Sequence, residues 1–270
     1  MKLIFDIAEL EPYVNWLYFF YAWGLDGKSA EVKASLKQEA EAVLHSWQGR
    51  YKAYAVFRLL SANSDGDDLV LDGVRVPMLR QQRPSPGKDY CLCLADFVRP
   101  LSSHIADRAG VFATSVDITA VKGHEDDAYA KMMAQVLADR LAEAAAERMH
   151  QLVRTTYWGY APDEQLSMKD LLAERYQGIR PAVGYPSLPD TSVNFTLNEL
   201  LDFKQIGVRL TESGMMVPHA SVSGFLFSHP KSRYFDLGKI GEDQLRDYAR
   251  RRGVPVEMIR RFIGASTLRR

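Results

Sequence analysis

Apolar positions recur at helical spacing from Ser29 to about Trp47, which predicts an amphipathic helix. Ala53 to Leu60 is apolar and rich in β-formers, which predicts a strand. Ser64-Asp65-Gly66-Asp67 marks a turn, and Leu69-Val70-Leu71 begins the next strand. Arg83-Pro84-Ser85-Pro86-Gly87 is a loop, and Val111 to Ile118 alternates as a strand does. The clearest element is a long helix from about Glu125 to Val153. There Met133, Leu137, Leu141, Ala145 and Met149 recur every four residues as one apolar stripe. Ser167-x-x-Asp170 and Thr196-x-x-Glu199 have the form of capping boxes, each predicted to open a short helix. Pro181 to Pro189 breaks regular structure. Ala220 to Phe227 reads as a strand, Asp243 to Arg251 as a helix, and Pro255 opens the last helix.

This order does not alternate strand and helix, so it argues against a doubly wound parallel sheet and for an α+β fold with an antiparallel sheet. No linker interrupts residues 1–270, which are read as one domain; the loop at Arg83 to Gly87 is the one place where two lobes would part. The chain has 270 residues, 47% hydrophobic and 25% charged, ordinary for a globular protein. Lys+Arg and Asp+Glu are both 34, so the formal net charge is zero, which argues against a general grip on nucleic acid or an anionic membrane. The longest apolar stretch, Trp16 to Leu25, has about half the ~20 residues of a membrane span. Asp6 and Glu9 break the signal-like run at the N-terminus, and two cysteines cannot form a disulfide scaffold. These features together predict a cytoplasmic protein.

Familiar catalytic signatures are missing: no G-x-G-x-x-G, P-loop, H-E-x-x-H or G-x-S-x-G occurs. Cys91 and Cys93 lack a second pair at zinc-site spacing and read as buried core thiols, while His229 reads as a strand-end turn residue. Asp139 and Glu143, four apart, share a helix face with Met132, Val136 and Ala146. Two readings stay open. One is a surface acidic pair, one member partnered by Arg140 or Arg148. The other is an acidic spot at a half-buried rim, suited to an ammonium, a sulfonium or ribose hydroxyls. In Gly178-Ile-Arg-Pro-Ala-Val-Gly-Tyr-Pro186 the prolines fix φ, and Gly184 allows a positive φ or close approach to a ligand. Arg180 offers a fork that matches a carboxylate, and Tyr185 a flat face with a polar tip. The run is either a structural turn or a rigid clamp for an amino-acid-like ligand.

A resemblance covering almost the whole chain favours the clamp. Ala138-Asp-Arg-Leu-Ala-Glu-Ala144, Tyr157-Trp-Gly-Tyr-Ala-Pro162, the run at 180–186, Leu210-Thr-Glu-Ser213, Ala220-Ser-Val-Ser-Gly224, Phe227-Ser-His-Pro230 and Asp247-Tyr-Ala-Arg-Arg251 resemble the S-adenosylmethionine-binding activation domain of cobalamin-dependent methionine synthase. The resemblance implies a single C-shaped α+β domain with a bent antiparallel sheet and flanking helices. In that family cobalamin, oxidised to cob(II)alamin, takes one electron from flavodoxin or a similar donor. S-adenosylmethionine then methylates it to methylcobalamin. Such a transfer needs no protein nucleophile or general base, which fits the missing motifs. By matching position, Arg180 is expected on the ligand carboxylate. Ala182 and Tyr185 are expected at the adenosyl part, Tyr185 also near the face offered to the corrin, with Gly184, Glu143 and Tyr234 lining the site and Asp139 facing the cobalamin module.

The chain departs from the family at Asn15, where an aspartate meets the ligand's ammonium; the lost charge predicts weaker binding. The stretch between Ser115 and Ala130 is shorter than in the family. No cobalamin-binding Asp-x-His-x-x-Gly occurs, and the chain starts with Met where the activation domain starts. A free-standing protein acting in trans on a separate cobalamin-bearing protein is therefore expected. A sensor of S-adenosylmethionine, or an activator of another corrinoid methyltransferase, is the alternative. The basic tail from Arg246 to Arg270 is either a solvated helical face or a surface for an acidic partner.

Overall fold

The computed structural model describes residues 1–117 and 126–264. In chain order its elements are β1 (Lys2–Asp6), α1 (Ile7–Leu10), α2 (Trp16–Ala22), α3 (Ala30–Trp47), β2 (Lys52–Asp65), β3 (Asp68–Leu71), β4 (Val74–Pro77), β5 (Asp107–Val116), α4 (Ala128–Leu152), α5 (Met168–Leu172), α6 (Val193–Leu201), β6 (Arg209–Leu210), β7 (Met216–Val217), β8 (Ser221–Leu226), α7 (Glu242–Arg252) and α8 (Val256–Ile263). Among the described residues the main sheet runs β4-β3-β2-β5-β8, with β1 on β2 as well, and every pairing is antiparallel. The fourteen-residue β2 holds β1 along residues 52–56 and β3 along 62–65, while β5 lines its other edge. The sheet curls, and helices flank it on both faces.

The two-residue side-chain period of the strands divides the core. Ala53, Ala55 and Phe57 of β2, Phe112 and Val116 of β5 and Val222 and Leu226 of β8 face the cluster built with α1, α3 and α4. Val56, Leu60, Val111, Ala113, Phe225 and Phe227 face the opposite cluster, with Val193, Leu197 and Leu201 of α6. The stripe at Met133, Leu137, Leu141, Ala145 and Met149 is buried as its spacing predicts, and Ala142, Ala144 and Ala146 are buried beside it. Those small side chains let α4 approach the strands so closely that the buried Thr114 hydroxyl donates to the Ala142 carbonyl (2.9 Å). A third cluster joins α7 and α8 to Leu79, Leu237 and Ile240.

Several expectations need adjusting. Asp127 caps α4 by accepting from Ala130 N–H (3.0 Å), while the expected start at Glu125 lies outside the described residues, as does Ile118. So does most of the segment read as shortened, 118–125. Ser167 caps α5 as read, accepting from Asp170 N–H. Thr196, however, lies inside α6, which begins three residues earlier, so the second capping box does not form. Cys93 is buried but Cys91 is half-buried; burial foremost pushes the Cys93 thiol up to about 12. His229 sits in the turn after β8, its Nδ1 accepting from Lys231 N–H (3.1 Å). In the tail, Arg246, Arg250, Arg251, Arg252 and Arg260 are all ion-paired within the fold, and residues 265–270 lie outside the described part. No described helix is long and apolar enough to cross a membrane.

The proline-rich run at 181–189 is more ordered than its composition predicts, because residues 179–183 cover the free edge of β8. Ile179 exchanges both backbone bonds with Phe227 (3.0 Å each), Phe225 N–H donates to the Pro181 carbonyl (3.1 Å), and Val183 N–H donates to the Ser223 carbonyl (2.9 Å). Pro181 needs only to accept there, so its missing N–H costs nothing. Gly224 makes the approach possible: a Cβ at that position would lie 2.1 Å from the Pro181 carbonyl oxygen and 2.9 Å from Ala182 Cα. Gly224→Ala is therefore expected to push the strap off the sheet and to cost about 1–3 kcal/mol. Urea unfolding checks this, and an unchanged midpoint contradicts it.

Candidate functional site

Strand alternation carries through the strap. Ile179 and Val183 turn toward the α6 cluster, and Ala182 toward the α4 cluster. Arg180, in phase with Ala182, meets α4. Its Nη2 donates to Glu147 Oε2 (2.7 Å), and Nη1 lies 3.7 Å from Glu143 Oε2. Asp139, Glu143 and Glu147 follow at one-turn spacing, so α4 presents a carboxylate ladder to the strap. The acidic pair is thus the half-buried rim and not a surface pair: Arg148 instead pairs with Glu9, and Arg140 lies over the Tyr18 ring.

The strap and α4 form one wall of a cleft of about 490 Å³, within the usual range of small-ligand sites. The predicted residues Asn15, Glu143, Arg180, Ala182, Tyr185 and Tyr234 all line it. Gly184 and Asp139 do not. They line an adjoining cavity of about 220 Å³, where His219 Nδ1 lies 3.1 Å from Asp139 Oδ1; Arg140, Glu143 and Tyr185 border both spaces. Gly184 is glycine because its φ is +90°: a Cβ there meets open space, so close approach is not the reason. The Tyr185 hydroxyl donates to Glu143. The Tyr234 hydroxyl accepts the Arg180 N–H (3.1 Å), the backbone group left pointing away from β8. Asn15 is the N-cap of α2, its Oδ1 accepting from Leu17 N–H (3.2 Å).

The lining residues that escaped the sequence reading include Glu147, Glu174, Asp236, Tyr13 and Tyr18. Glu147 continues the arithmetic of Asp139 and Glu143 by one more turn, a signal that was present. Glu174 stands at the end of α5 with φ +57°, a conformation that sequence does not announce. Tyr13 and Tyr18 arrive from the N-terminal helices, far away in the chain.

The electrostatics are those of a buried cation among acids. Burial works against the charge of Arg180, yet Glu147, ahead of Glu143, holds its pKa well above the ordinary arginine value. Glu147 is itself buried and lies 3.9 Å from Arg154, which is fully buried, paired twice with Glu164 (2.7 and 2.8 Å) and stacked on Tyr176 at 3.9 Å. Burial raises the Glu174 carboxyl above its usual value, and Arg180 opposes that rise. Among the described residues Arg180 Nε has no hydrogen-bond partner. Glu143, Glu147, Glu174 and Asp236 outnumber Arg140 and Arg180 on the walls, so the cleft suits a ligand that carries both a carboxylate and positive charge.

Fold and cleft together define an α+β domain with a curled antiparallel sheet and a cleft of small-ligand size between the strap and the long helix. The family described as vitamin B12 dependent methionine synthase, activation domain, matches residues 6–253, and the chain belongs to that family. A solved structure described as the MetH reactivation domain bound to AdoHcy is 38% identical to it, with a TM-score of 0.90 over 100% of this chain and 90% of that one.

His150, under the cleft, supplies a pH test. It is fully buried, and burial first, then Arg154 and Arg180, hold its pKa well below the ordinary value. The unfolded chain binds a proton near pH 6.5 that the native chain refuses. Stability is therefore complete above that pH and falls as the pH drops below it, by up to about 1.4 kcal/mol per unit. Between pH 7.5 and 5.5 the unmodified protein is expected to lose about 1.4 kcal/mol more than His150→Leu in urea unfolding. Equal losses contradict the buried neutral imidazole.

Proposed function

We propose that this chain binds S-adenosylmethionine in the Arg180 cleft and presents its methyl group to the cobalamin of methionine synthase. The cobalamin is carried on a separate protein met in trans, and reduced flavodoxin or a like donor supplies the electron. The observation that carries the reading is Arg180 itself: a mostly buried guanidinium whose Nε has no partner among the described residues, in a cleft of ligand size whose walls carry four carboxylates. Membership of the activation-domain family supports it, as does the related reactivation domain, which is described as bound to AdoHcy.

On this reading Arg180 takes the ligand carboxylate as a fork. The acidic walls favour the ammonium and the sulfonium, and Asn15 accepts from the ammonium side. Ala182 and Tyr185 bracket the nucleoside, Tyr234 steadies the strap through the Arg180 amide, and Asp139 faces the partner across the adjoining cavity. Bound on the partner, cobalamin supplies a nucleophilic metal centre for the methyl group. This chain's residues position the donor and exclude water; none has to move a proton. Residues 1–270 act as one unit in this reading, α7 being tied to the sheet by Arg251 on Asp68 and the Met78 carbonyl, and to the turn before α6 by Tyr248 on Asp190.

Calorimetric titration with S-adenosylmethionine tests the cleft. Arg180→Ala is expected to weaken binding about 100-fold, the loss of two charge-assisted hydrogen bonds. Asn15→Asp keeps the cap of α2, because aspartate caps as well as asparagine, and restores a charge for the ammonium. It is expected to tighten binding by about 1 kcal/mol or more. No binding by the unmodified protein ends the proposal. Adding the protein, S-adenosylmethionine and a reductant to a purified, oxidised cobalamin module is expected to restore methyl transfer; binding without restoration favours a sensor.

A further inference from the structure

Arg180 reaches the cleft as the fourth member of a chain of alternating charge: Glu164, Arg154, Glu147, Arg180. Arg154 is fixed twice over, by two hydrogen bonds to Glu164 and by the Tyr176 ring. Glu147 is buried between two cations, with one oxygen 2.7 Å from Arg180 Nη2 and the other 3.9 Å from Arg154 Nη1. Among the described residues no other carboxylate holds Arg180 this closely, since Glu143 stands 3.7 Å from Nη1 and is engaged by Tyr185. Glu147 therefore occupies one nitrogen of the guanidinium and leaves Nη1 loosely held and Nε unpartnered.

From this we infer that Glu147 is a positioning residue: it clamps the Arg180 guanidinium in one orientation so that its remaining donors meet the ligand carboxylate already aligned. The inference rests on the proposed use of the cleft. Two opposed effects decide its sign. A carboxylate beside the guanidinium repels a second carboxylate, so its removal would tighten binding if repulsion dominated. An arginine side chain also loses considerable rotamer freedom when immobilised, and a guanidinium ordered before the ligand arrives spares the ligand that cost. Glu147 is buried and anchored from behind by Arg154, so it does not compete for the space the ligand takes, and positioning prevails.

The test compares two ligands that share the nucleoside thioether: S-adenosylhomocysteine, which has the amino-acid end, and methylthioadenosine, which lacks it. Glu147→Gln keeps the shape and removes the charge. It is expected to weaken S-adenosylhomocysteine about tenfold while changing methylthioadenosine less than about twofold. In an Arg180→Ala background the same change is expected to add no further loss, because the two residues act through one guanidinium. An equal loss for both ligands, tighter binding of S-adenosylhomocysteine, or an additive loss on Arg180→Ala overturns the inference. If Arg180→Ala alone leaves S-adenosylhomocysteine binding unchanged, the use of the cleft fails first and the inference goes with it. A measurement without any variant guards against misfolding of Glu147→Gln: nitrogen NMR of the unmodified, ligand-free protein is expected to show an Arg180 guanidinium with slowed rotation and protected protons, and free rotation overturns the inference.

Discussion

A guanidinium taken out of water dictates the rest of this site. An unpaired buried cation costs several kcal/mol, so Arg180 can exist where it does only because carboxylates arrive with it. The supply comes from one helix, whose 3.6-residue period delivers Glu143 and Glu147 to the same guanidinium from consecutive turns. Glu147, buried in its turn, needs a second cation, and Arg154 needs Glu164. The demand for neutralisation thus runs backward from the cleft through the segment after α4 and on to the loop before α5. It ties the strap, the long helix and that loop into one electrostatic unit.

The curled antiparallel sheet is what lets the strap and the helix meet. β8 ends the sheet with a free edge, and residues 179–183 cover it, so Arg180 and Ala182 turn to the α4 side. Small residues govern the distances. The alanines of α4 bring that helix down on β5, and the bare Cα of Gly224 brings the strap down on β8. With larger side chains at either place, the carboxylate ladder and the guanidinium would be held apart.

Two neighbouring spaces with a shared border give the site its direction. The larger one carries Arg180 and the acidic walls; the smaller carries Asp139 and His219. Glu143 and Tyr185, hydrogen-bonded to one another, stand between them. In the proposed function the donor occupies the first and the partner approaches over the second, so the boundary pair lies where the two reactants meet. A domain with this division contributes alignment and charge complementarity, the two things a methyl transfer between reactive partners requires.

Local chemistry alone specified the elements whose pattern repeats over many residues. The stripe of α4, the amphipathic helix from Ser29, the helix capped at Ser167 and the strands at 53–60 and 220–227 were all legible, because side-chain period and capping act over a few positions. The run at 180–186 could also be singled out, since two prolines and a glycine leave few conformations. Its partners could not. That Arg180 turns toward α4, that Glu147 and not Glu143 holds it most closely, that Gly184 belongs to the neighbouring space and that Thr196 lies inside a helix are all consequences of strand pairing and burial. Contacts between residues dozens of positions apart depend on which faces the sheet brings together, and that is settled only when the whole chain has packed.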